Sequence, residues 1–269
     1  MLQSRLANTR TIHLKTPEEL LIMREAGRIV ARAHAAMREA VRPGITTAAL
    51  NKIAEDLIRK SGAIPTFLGY PPGSRHPFPA TINASVNEEL VHGIPGPRVL
   101  KEGDIISLDV GATYKGFVGD SAYTHPVGKI SPEAQRLIAV TEQALKVGIQ
   151  TARVGNETKD ISLAIQHYVE SQGYSVVRQY TGHGVGRNMH EDPQVPNWWP
   201  ARQKNRNWRS YALQPGITIA LEPMVIVGRA ETRVLDDHWT VVTADGSLCA
   251  HTEHTIAVTD GEPLILTLP

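Results

Sequence analysis

Apolar residues recur at helical spacing twice in the first part of the chain. The stretch Thr16-Pro17-Glu18-Glu19 supplies an N-cap, a proline suited to a first helical turn and the acid of a capping box. Apolar positions then repeat every three or four residues until Pro43-Gly44. The pattern predicts a long helix that ends at Pro43-Gly44 and a second helix over residues 47 to 60, which Gly62 stops.

The same arrangement recurs 111 residues further along the chain. Ser131-Pro132-Glu133 repeats the cap, the proline and the acid before a predicted helix to about residue 153. Gly155 and Gly173 then bracket another predicted helix at the eighteen-residue interval that also separates Gly44 from Gly62. Because strand-like runs follow each helix pair, two α-α-β units predict a pseudo-twofold α+β domain around a central antiparallel sheet. A chance likeness between helices with glycine stops is the alternative.

Acidic residues interrupt the apolar runs that read as strands. Asp109 lies in the run 105–110, Asp120 lies in the run 117–122, and Lys115-Gly116 predicts a hairpin turn between them. Residue 111 then faces residue 120, so Asp109 and Asp120 share one face as diagonal neighbours, about 7 Å apart. Two carboxylates on a buried face are costly unless cations neutralise them, so the pair predicts a site for divalent ions.

The second half of the chain repeats this feature. Glu222 interrupts the predicted strand 217–227, and Glu253 interrupts the predicted strand 252–258. Four strands therefore offer four inward carboxylates to one site. The alternative is that one or two of them are edge-strand charges in solvent.

Three histidines lie in glycine-containing segments near these acids. His183 stands in Thr181-Gly182-His183-Gly184, which indicates close backbone packing around a ligand, since the Walker lysine of a phosphate loop is missing. His190 follows seven residues later, and His92 lies in a turn before the first acidic strand. A structural role is the alternative for each of them.

Composition restricts the class of protein. The chain has 269 residues, 41% of them hydrophobic, and a net charge of +1, which favours a buried core and gives no general attraction to DNA or a membrane. Cys249 is the one cysteine, which excludes a disulfide framework and a cysteine-based zinc site. Residues 1–10 lack the apolar core of a secretory signal, so a cytoplasmic location is expected. The sequons at Asn83 and Asn156 are then regarded as accidental.

Five ordered motifs resemble those of the type I methionine aminopeptidases, metalloproteases with the pita-bread fold. The motifs are SVNEELVHGIP (85–95), GDIISLDV with GFVGDSA (103–122), GHGVGRNMHEDPQVPN (182–197), ITIALEPMV (217–225) and HTEHTIAVTDG (251–261). The resemblance covers residues 14–261 and implies one catalytic domain over that range. Residues 1–13 would be an N-terminal segment and residues 262–269 a C-terminal tail.

The resemblance implies a dinuclear metal centre that holds Co, Mn, Fe or Zn. Carried over by motif, Asp109 binds one ion, His183 and Glu222 bind the other, and Asp120 and Glu253 bridge both. A metal hydroxide would then remove the N-terminal methionine from nascent proteins and peptides whose second residue is small.

The resemblance also implies roles for other side chains. Glu222 would accept the proton of the attacking water, His190 would contact the substrate carbonyl or developing oxyanion, and His92 would contact the scissile amide nitrogen. The pocket for the methionine side chain would be lined by Phe67, Tyr70, Met189 and Trp239. In the family a cysteine often replaces Phe67 and an aromatic residue often replaces Met189, and all four residues are also typical of an ordinary core.

Other protein classes with this fold differ from this chain in specific features of their sequences. Prolidase and aminopeptidase P share the fold but normally carry an additional N-terminal domain, whereas about 90 residues precede His92 here. A catalytically dead binding module would have lost metal ligands, and type II enzymes carry an insertion longer than the 26 residues from Glu191 to Gly216. We expect a monomer.

The loop over residues 196–214 is several residues longer than in the usual bacterial type I methionine aminopeptidases that this chain resembles. It holds three of the four tryptophans and four basic residues, Arg202, Lys204, Arg206 and Arg209. It predicts either a rim beside the active-site entrance or a transient ribosome contact through RNA.

Overall fold

A computed structural model describes residues 12–200 and 209–269. These ranges contain four helices: α1 (Pro17–Ala40), α2 (Thr47–Lys60), α3 (Pro132–Thr151) and α4 (Thr158–Ser171). The strands of the first half are β1 (Ile64–Pro65), β2 (Ile82–Val86), β3 (Glu89–Val91), β4 (Ile105–Tyr114) and β5 (Phe117–Pro126). Those of the second half are β6 (Ser175–Val176), β7 (Thr181–Gly184), β8 (Glu191–Pro196), β9 (Thr218–Leu221), β10 (Met224–Ile226), β11 (Thr232–Val234), β12 (Val241–Thr243), β13 (Cys249–His251), β14 (Glu253–Ala257) and β15 (Leu264–Ile265).

The helices begin where their capping residues predict. The Thr16 side chain accepts a hydrogen bond from the backbone N–H of Glu19, and the Glu19 side chain accepts one from the backbone N–H of Thr16. Helices α2 and α4 each have 14 residues and are offset by 111 positions, which confirms the predicted repeat. Helix α1 ends at Ala40, three residues before Pro43, because the backbone of Val41 is already extended. Arg42, which precedes the proline, also disfavours helical backbone.

A nine-stranded antiparallel sheet crosses the molecule. Its main path is β1-β4-β5-β14-β9-β7-β8, with β2 paired to β4 and β15 paired to β14. Lys115 and Gly116 take φ values of 46° and 78°, as a two-residue hairpin turn of the primed type requires. Gly111 faces Asp120 across β4 and β5, so the predicted register is confirmed.

Two strand predictions were wrong in their extent. The predicted strand 217–227 divides into β9 and β10, which belong to different sheets, because Pro223 has no N–H for a ladder and interrupts the pairing. Glu222 therefore lies just after β9 rather than within a strand. The predicted strand 252–258 begins at Glu253, and β13 before it pairs with β10 instead.

Each helix pair covers its own half of the sheet. Helices α1 and α2 pack with Leu108 and Val110 of β4 in one buried cluster, while α3 and α4 pack with β9 and β14 in another. Gly119 allows α1 to lie on β5, because a Cβ there would stand 2.6 Å from the backbone nitrogen of Gly27. Since side chains alternate across a strand, Asp109 projects from the face opposite Leu108 and Val110.

Some of the sequence predictions concern residues that the structure does not describe. Most of the segment 1–13 and three of the four basic loop residues lie outside the described residues. In the described flank of the loop, Trp198 Nε1 donates to the carbonyl of Arg178, and Trp199 is buried. Across the described residues, no helix has the length and apolar content needed to cross a bilayer.

Candidate active site

One cavity of about 550 Å³ contains all the site residues that the sequence predicts. Its walls include the five predicted metal ligands, both further histidines and the four residues expected to line a methionine pocket. The cavity opens on the face of the large sheet that carries Asp109 and Asp120. The topology thus brings together residues that are up to 186 positions apart in the chain.

Three of the predicted carboxylates project from adjacent strands of the sheet. Asp109 and Asp120 stand on the paired strands β4 and β5, and Glu253 faces Ala122 across β5 and β14. All three are buried, and each leaves one carboxylate oxygen without a hydrogen-bond partner: Asp109 Oδ1, Asp120 Oδ1 and Glu253 Oε1. Buried oxygens of this kind are costly unless a cation binds them.

The pKa values of these carboxyls also show that burial disfavours their negative charge. Burial raises the pKa of Asp109 to about 7. Burial also raises the pKa values of Asp120, Glu222 and Glu253 well above their usual range, and repulsion from neighbouring carboxylates adds to the effect. Without a compensating positive charge the cluster therefore retains protons near neutral pH, whereas bound cations would hold it ionised.

His183 is arranged as a metal ligand would be. Its Nδ1 lies 2.9 Å from the carbonyl oxygen of Gly184, and donation to that carbonyl leaves Nε2 free to bind a metal. Nε2 lies 3.5 Å from Glu222 Oε1 and 3.9 Å from Asp120 Oδ2. Burial lowers the pKa of His183 to about 3, so the imidazole is neutral, the form that binds metals.

The glycines on either side of His183 permit this placement. A Cβ at Gly182 would lie 2.5 Å from the carbonyl oxygen of Ala220, and one at Gly184 would lie 2.3 Å from that of Asp192. Both distances are shorter than a real Cβ contact, so only glycine at these two positions allows strand β7 to lie between β8 and β9. The close packing predicted around His183 is confirmed.

The donor set fits divalent metal ions. Ligand atoms of Asp120, His183 and Glu253 lie within 4.8 Å of one another, and so do those of Asp109, His251 and Glu253. Carboxylate oxygens combined with imidazole nitrogen suit Mn, Fe, Co and Zn. The two overlapping groups share Glu253, as a site for two neighbouring ions would.

Sequence reasoning missed two polar residues at this centre. Asn83 faces Asp109 across β2 and β4, and its Nδ2 donates a 2.6 Å hydrogen bond to Asp109 Oδ2. His251 is buried, and its Nε2 has no hydrogen-bond partner and lies 3.7 Å from Glu253 Oε2. The two-residue spacing of His251 and Glu253 was a signal for a shared face, whereas no local signal marked Asn83.

His92 and His190 lie beside the carboxylate cluster. His92 follows β3 with a φ of 60°, a left-handed conformation that costs energy in a residue with a Cβ and is concentrated at functional sites. Burial lowers the pKa of His92 to about 4. The His190 ring stands 4.3 Å from the His183 ring, and its Nδ1 lies 2.5 Å from the Tyr70 hydroxyl.

The remaining wall of the cavity is apolar. Phe67 and Met189 are buried there, and Trp239 packs edge-on against Phe78, with ring centroids 5.2 Å apart. Gly111 leaves room for Phe67, because a Cβ at that position would meet the Phe67 ring at 2.7 Å. Phe78 is a further lining residue that the sequence did not single out.

Comparisons with known proteins agree with this site. Residues 22–260 match the model of metallopeptidase family M24. Methionine aminopeptidase 1 of Bacillus subtilis is 53% identical over 94% of this chain and 98% of its own length. The crystal structure of methionine aminopeptidase from Thermotoga maritima is 41% identical, covers 96% of this chain and all of that one, and superposes with a TM-score of 0.89.

A prolidase from Pyrococcus furiosus shares the fold with a TM-score of 0.75 but only 20% identity, over 95% of this chain and 65% of that one. The architecture is therefore the α+β pita-bread fold that the resemblance implied. The identities, the matched range and the carboxylate and histidine cluster all indicate a metal-dependent aminopeptidase. We conclude that the chain belongs to metallopeptidase family M24 and, within that family, to the methionine aminopeptidases.

Proposed function

We propose that this protein removes the N-terminal methionine from nascent proteins and peptides whose second residue is small, at a centre of two divalent metal ions. The observation that carries the proposal is the cavity itself. Buried carboxylates with unpaired oxygens, the histidines His92 and His190 and an apolar recess share one space of about 550 Å³. The relatives named methionine aminopeptidase support the same substrate.

The ions would be held by five side chains: Asp109 on one, His183 and Glu222 on the other, and Asp120 and Glu253 between both. When bound, such ions supply a water of lowered pKa and polarise the scissile carbonyl. The Asn83 hydrogen bond orients Asp109, and the Gly184 carbonyl orients His183. These two contacts prepare the ligand geometry before an ion arrives.

The protein's own proton-transfer groups surround this centre. Glu222 is the carboxylate closest to His183 Nε2, and this position beside the centre suits it to accept a proton from the attacking water. His190 stands next to His183 and would donate a hydrogen bond to the carbonyl oxygen as negative charge develops there. The neutral His92 would contact the scissile amide nitrogen.

The shape of the cavity supports the proposed selectivity. Phe67, Met189 and Trp239 offer an apolar surface suited to an unbranched thioether. The ring of His92 stands edge-on to Tyr180 at 5.7 Å and to Trp239 at 6.0 Å, which narrows the space beside the reacting bond. A bulky second residue would collide with these rings.

We also propose that residues 14–261 form the catalytic domain and that the protein acts as a monomer in the cytoplasm. One chain supplies all five predicted metal ligands and both further histidines, which supports a complete site within a single copy. Ribosome contact through the loop 196–214 stays a prediction. The packing of Trp198 and Trp199 on the body of the protein favours the rim interpretation of that loop.

Peptide hydrolysis by metal-reconstituted protein tests the proposal. After metal removal and reloading with Mn²⁺ or Co²⁺, Met-Gly-Met-Met should be cleaved to free methionine, while Gly-Pro peptides should stay intact. Glu253→Gln should abolish turnover, whereas Glu39→Gln on the exposed side of α1 should not change it. Cleavage of Gly-Pro peptides in preference to methionyl peptides would overturn the proposal in favour of a prolidase.

A further inference from the structure

We propose that the Tyr70 hydroxyl fixes the tautomer of His190, so that the Nε2 atom of His190 carries the hydrogen offered to the substrate. This makes Tyr70 a positioning residue rather than only a wall of the methionine pocket. The tautomer assignment rests on the geometry and the hydrogen-bond chemistry of the contact between Tyr70 and His190. Its consequence for catalysis rests on the role proposed above for His190.

The contact between the two side chains is direct. The Tyr70 oxygen lies 2.5 Å from His190 Nδ1, and the two rings are 5.3 Å apart at an interplanar angle of 51°. No other hydrogen-bond partner of the Tyr70 hydroxyl exists among residues 12–200 and 209–269. His190 Nε2 likewise has no protein partner within these ranges, which leaves it available to a ligand in the cavity.

The backbone around Tyr70 is held on both sides. The Tyr70 N–H donates to the Phe67 carbonyl at 2.9 Å, and the Tyr70 carbonyl accepts from the Phe78 N–H at 2.7 Å. The Gly69 N–H also donates to the Phe78 carbonyl, at 2.8 Å. The hydroxyl is therefore presented from a braced loop, and little conformational freedom is lost when it binds the imidazole.

Hydrogen-bond chemistry decides the direction of this contact. A phenol carries one hydrogen, and burial raises the pKa of Tyr70, so the hydroxyl keeps that hydrogen at neutral pH. If the hydroxyl donates to Nδ1, the single hydrogen of a neutral imidazole must be on Nε2. The opposite tautomer would leave the Tyr70 hydrogen without a protein acceptor and would present an acceptor, Nε2, to the electron-rich substrate carbonyl.

Substitution of the hydroxyl separates this role from pocket lining. Tyr70→Phe keeps the apolar ring and removes only the oxygen. If Tyr70 only lines the pocket, kcat should be unchanged. If it fixes the tautomer, kcat should fall, by at most the roughly tenfold that one hydrogen bond represents, with KM nearly unchanged. In the His190→Ala background, Tyr70→Phe should have no further effect on kcat.

The direct readout is the long-range ¹H–¹⁵N spectrum of histidine-labelled, Zn²⁺-loaded protein, with the His190 signals assigned by their loss in His190→Ala. The wild type should show hydrogen on Nε2, and Tyr70→Phe should shift the signals toward a mixture of tautomers. Tyr123→Phe is the matched control. The Tyr123 hydroxyl also contacts a histidine, with its oxygen 3.2 Å from His254 Nε2, but this pair does not line the cavity. That control should leave the His190 signals and kcat unchanged.

The outcomes distinguish the tautomer assignment from the role proposed for His190 in catalysis. Hydrogen on Nδ1 in the wild type overturns the assignment without any variant, and so do identical His190 signals in wild type and Tyr70→Phe. A shifted tautomer with unchanged kcat supports the role of Tyr70 and contradicts the role proposed for His190.

Discussion

Removal of the Asn83 amide should weaken metal binding without unfolding the protein. Asn83 Nδ2 is the side-chain donor to Asp109, at 2.6 Å from Oδ2, while Asp109 Oδ1 has no partner. Asn83→Ala therefore removes the amide donor from the Asp109 carboxylate. A hydrogen bond to a charged group contributes about 1.5–3 kcal/mol, so we expect metal affinity to fall by roughly tenfold to a hundredfold.

The loss should depend on pH. Burial raises the pKa of Asp109 to about 7, and the Asn83 hydrogen bond opposes that rise. Without the amide, protons compete more strongly with the metal, so the deficit in affinity should be larger at pH 6.5 than at pH 8. Calorimetric titration of metal-free protein with Mn²⁺ at both pH values measures this difference.

Asn51→Ala is the matched control for this experiment. The Asn51 side-chain oxygen accepts hydrogen bonds from the N–H groups of Thr81 and Ile82, where β2 begins, but it does not touch the carboxylates. Its loss should lower the free energy of unfolding and leave the metal affinity unchanged. Equal metal affinity in Asn83→Ala and wild type, or equal weakening in both variants, would show that the Asn83 amide does not support metal binding through Asp109.

Three further predictions concern other parts of the protein. His92→Ala and His190→Ala should each lower kcat by roughly 10²–10³-fold with metal content unchanged, and loss of one ion per chain from either variant would contradict their assignment as non-ligands. Peptides that begin Met-Ala should be cleaved and those that begin Met-Leu hardly at all, as measured by released methionine; equal rates would refute the proposed crowding at His92. Burial lowers the pKa of His34 to about 3, so below pH 6.5 the unfolded chain binds a proton at His34 that the folded protein does not, and the free energy of unfolding decreases as the pH falls. Urea unfolding at pH 7.5 and 5 should show that this decrease is about 2 kcal/mol smaller for His34→Asn than for wild type. Equal decreases would contradict the lowered pKa of His34.

The parts of the fold that depend on local chemistry could be predicted from the sequence. Thr16 and Ser131 mark helix starts because their side chains accept hydrogen bonds from the first turn. The Asp109–Asp120 pair was predictable because a two-residue turn and strict alternation fix the register of a hairpin. The proposed metal ligands of the second half required the family resemblance as well, since no short turn connects Glu222 to Glu253.

Contacts between distant segments could not be predicted in this way. Asn83 is significant only because β2 pairs with β4 in one register, and the sequence of β2 does not specify its partner. The contact between Tyr70 and His190 spans 120 positions and depends on how two loops meet over the cavity. The break at Pro223 was locally visible, but the apolar residues on both sides of it concealed the change of sheet.

An anomalous difference map from crystals grown with Mn²⁺ would locate the metal ions without reference to activity. We expect two peaks about 3.5–4 Å apart, with carboxylate oxygens of both Asp120 and Glu253 bound to each and with His183 bound to only one. A single peak at full metal occupancy would contradict the dinuclear centre, and so would two peaks that share neither Asp120 nor Glu253.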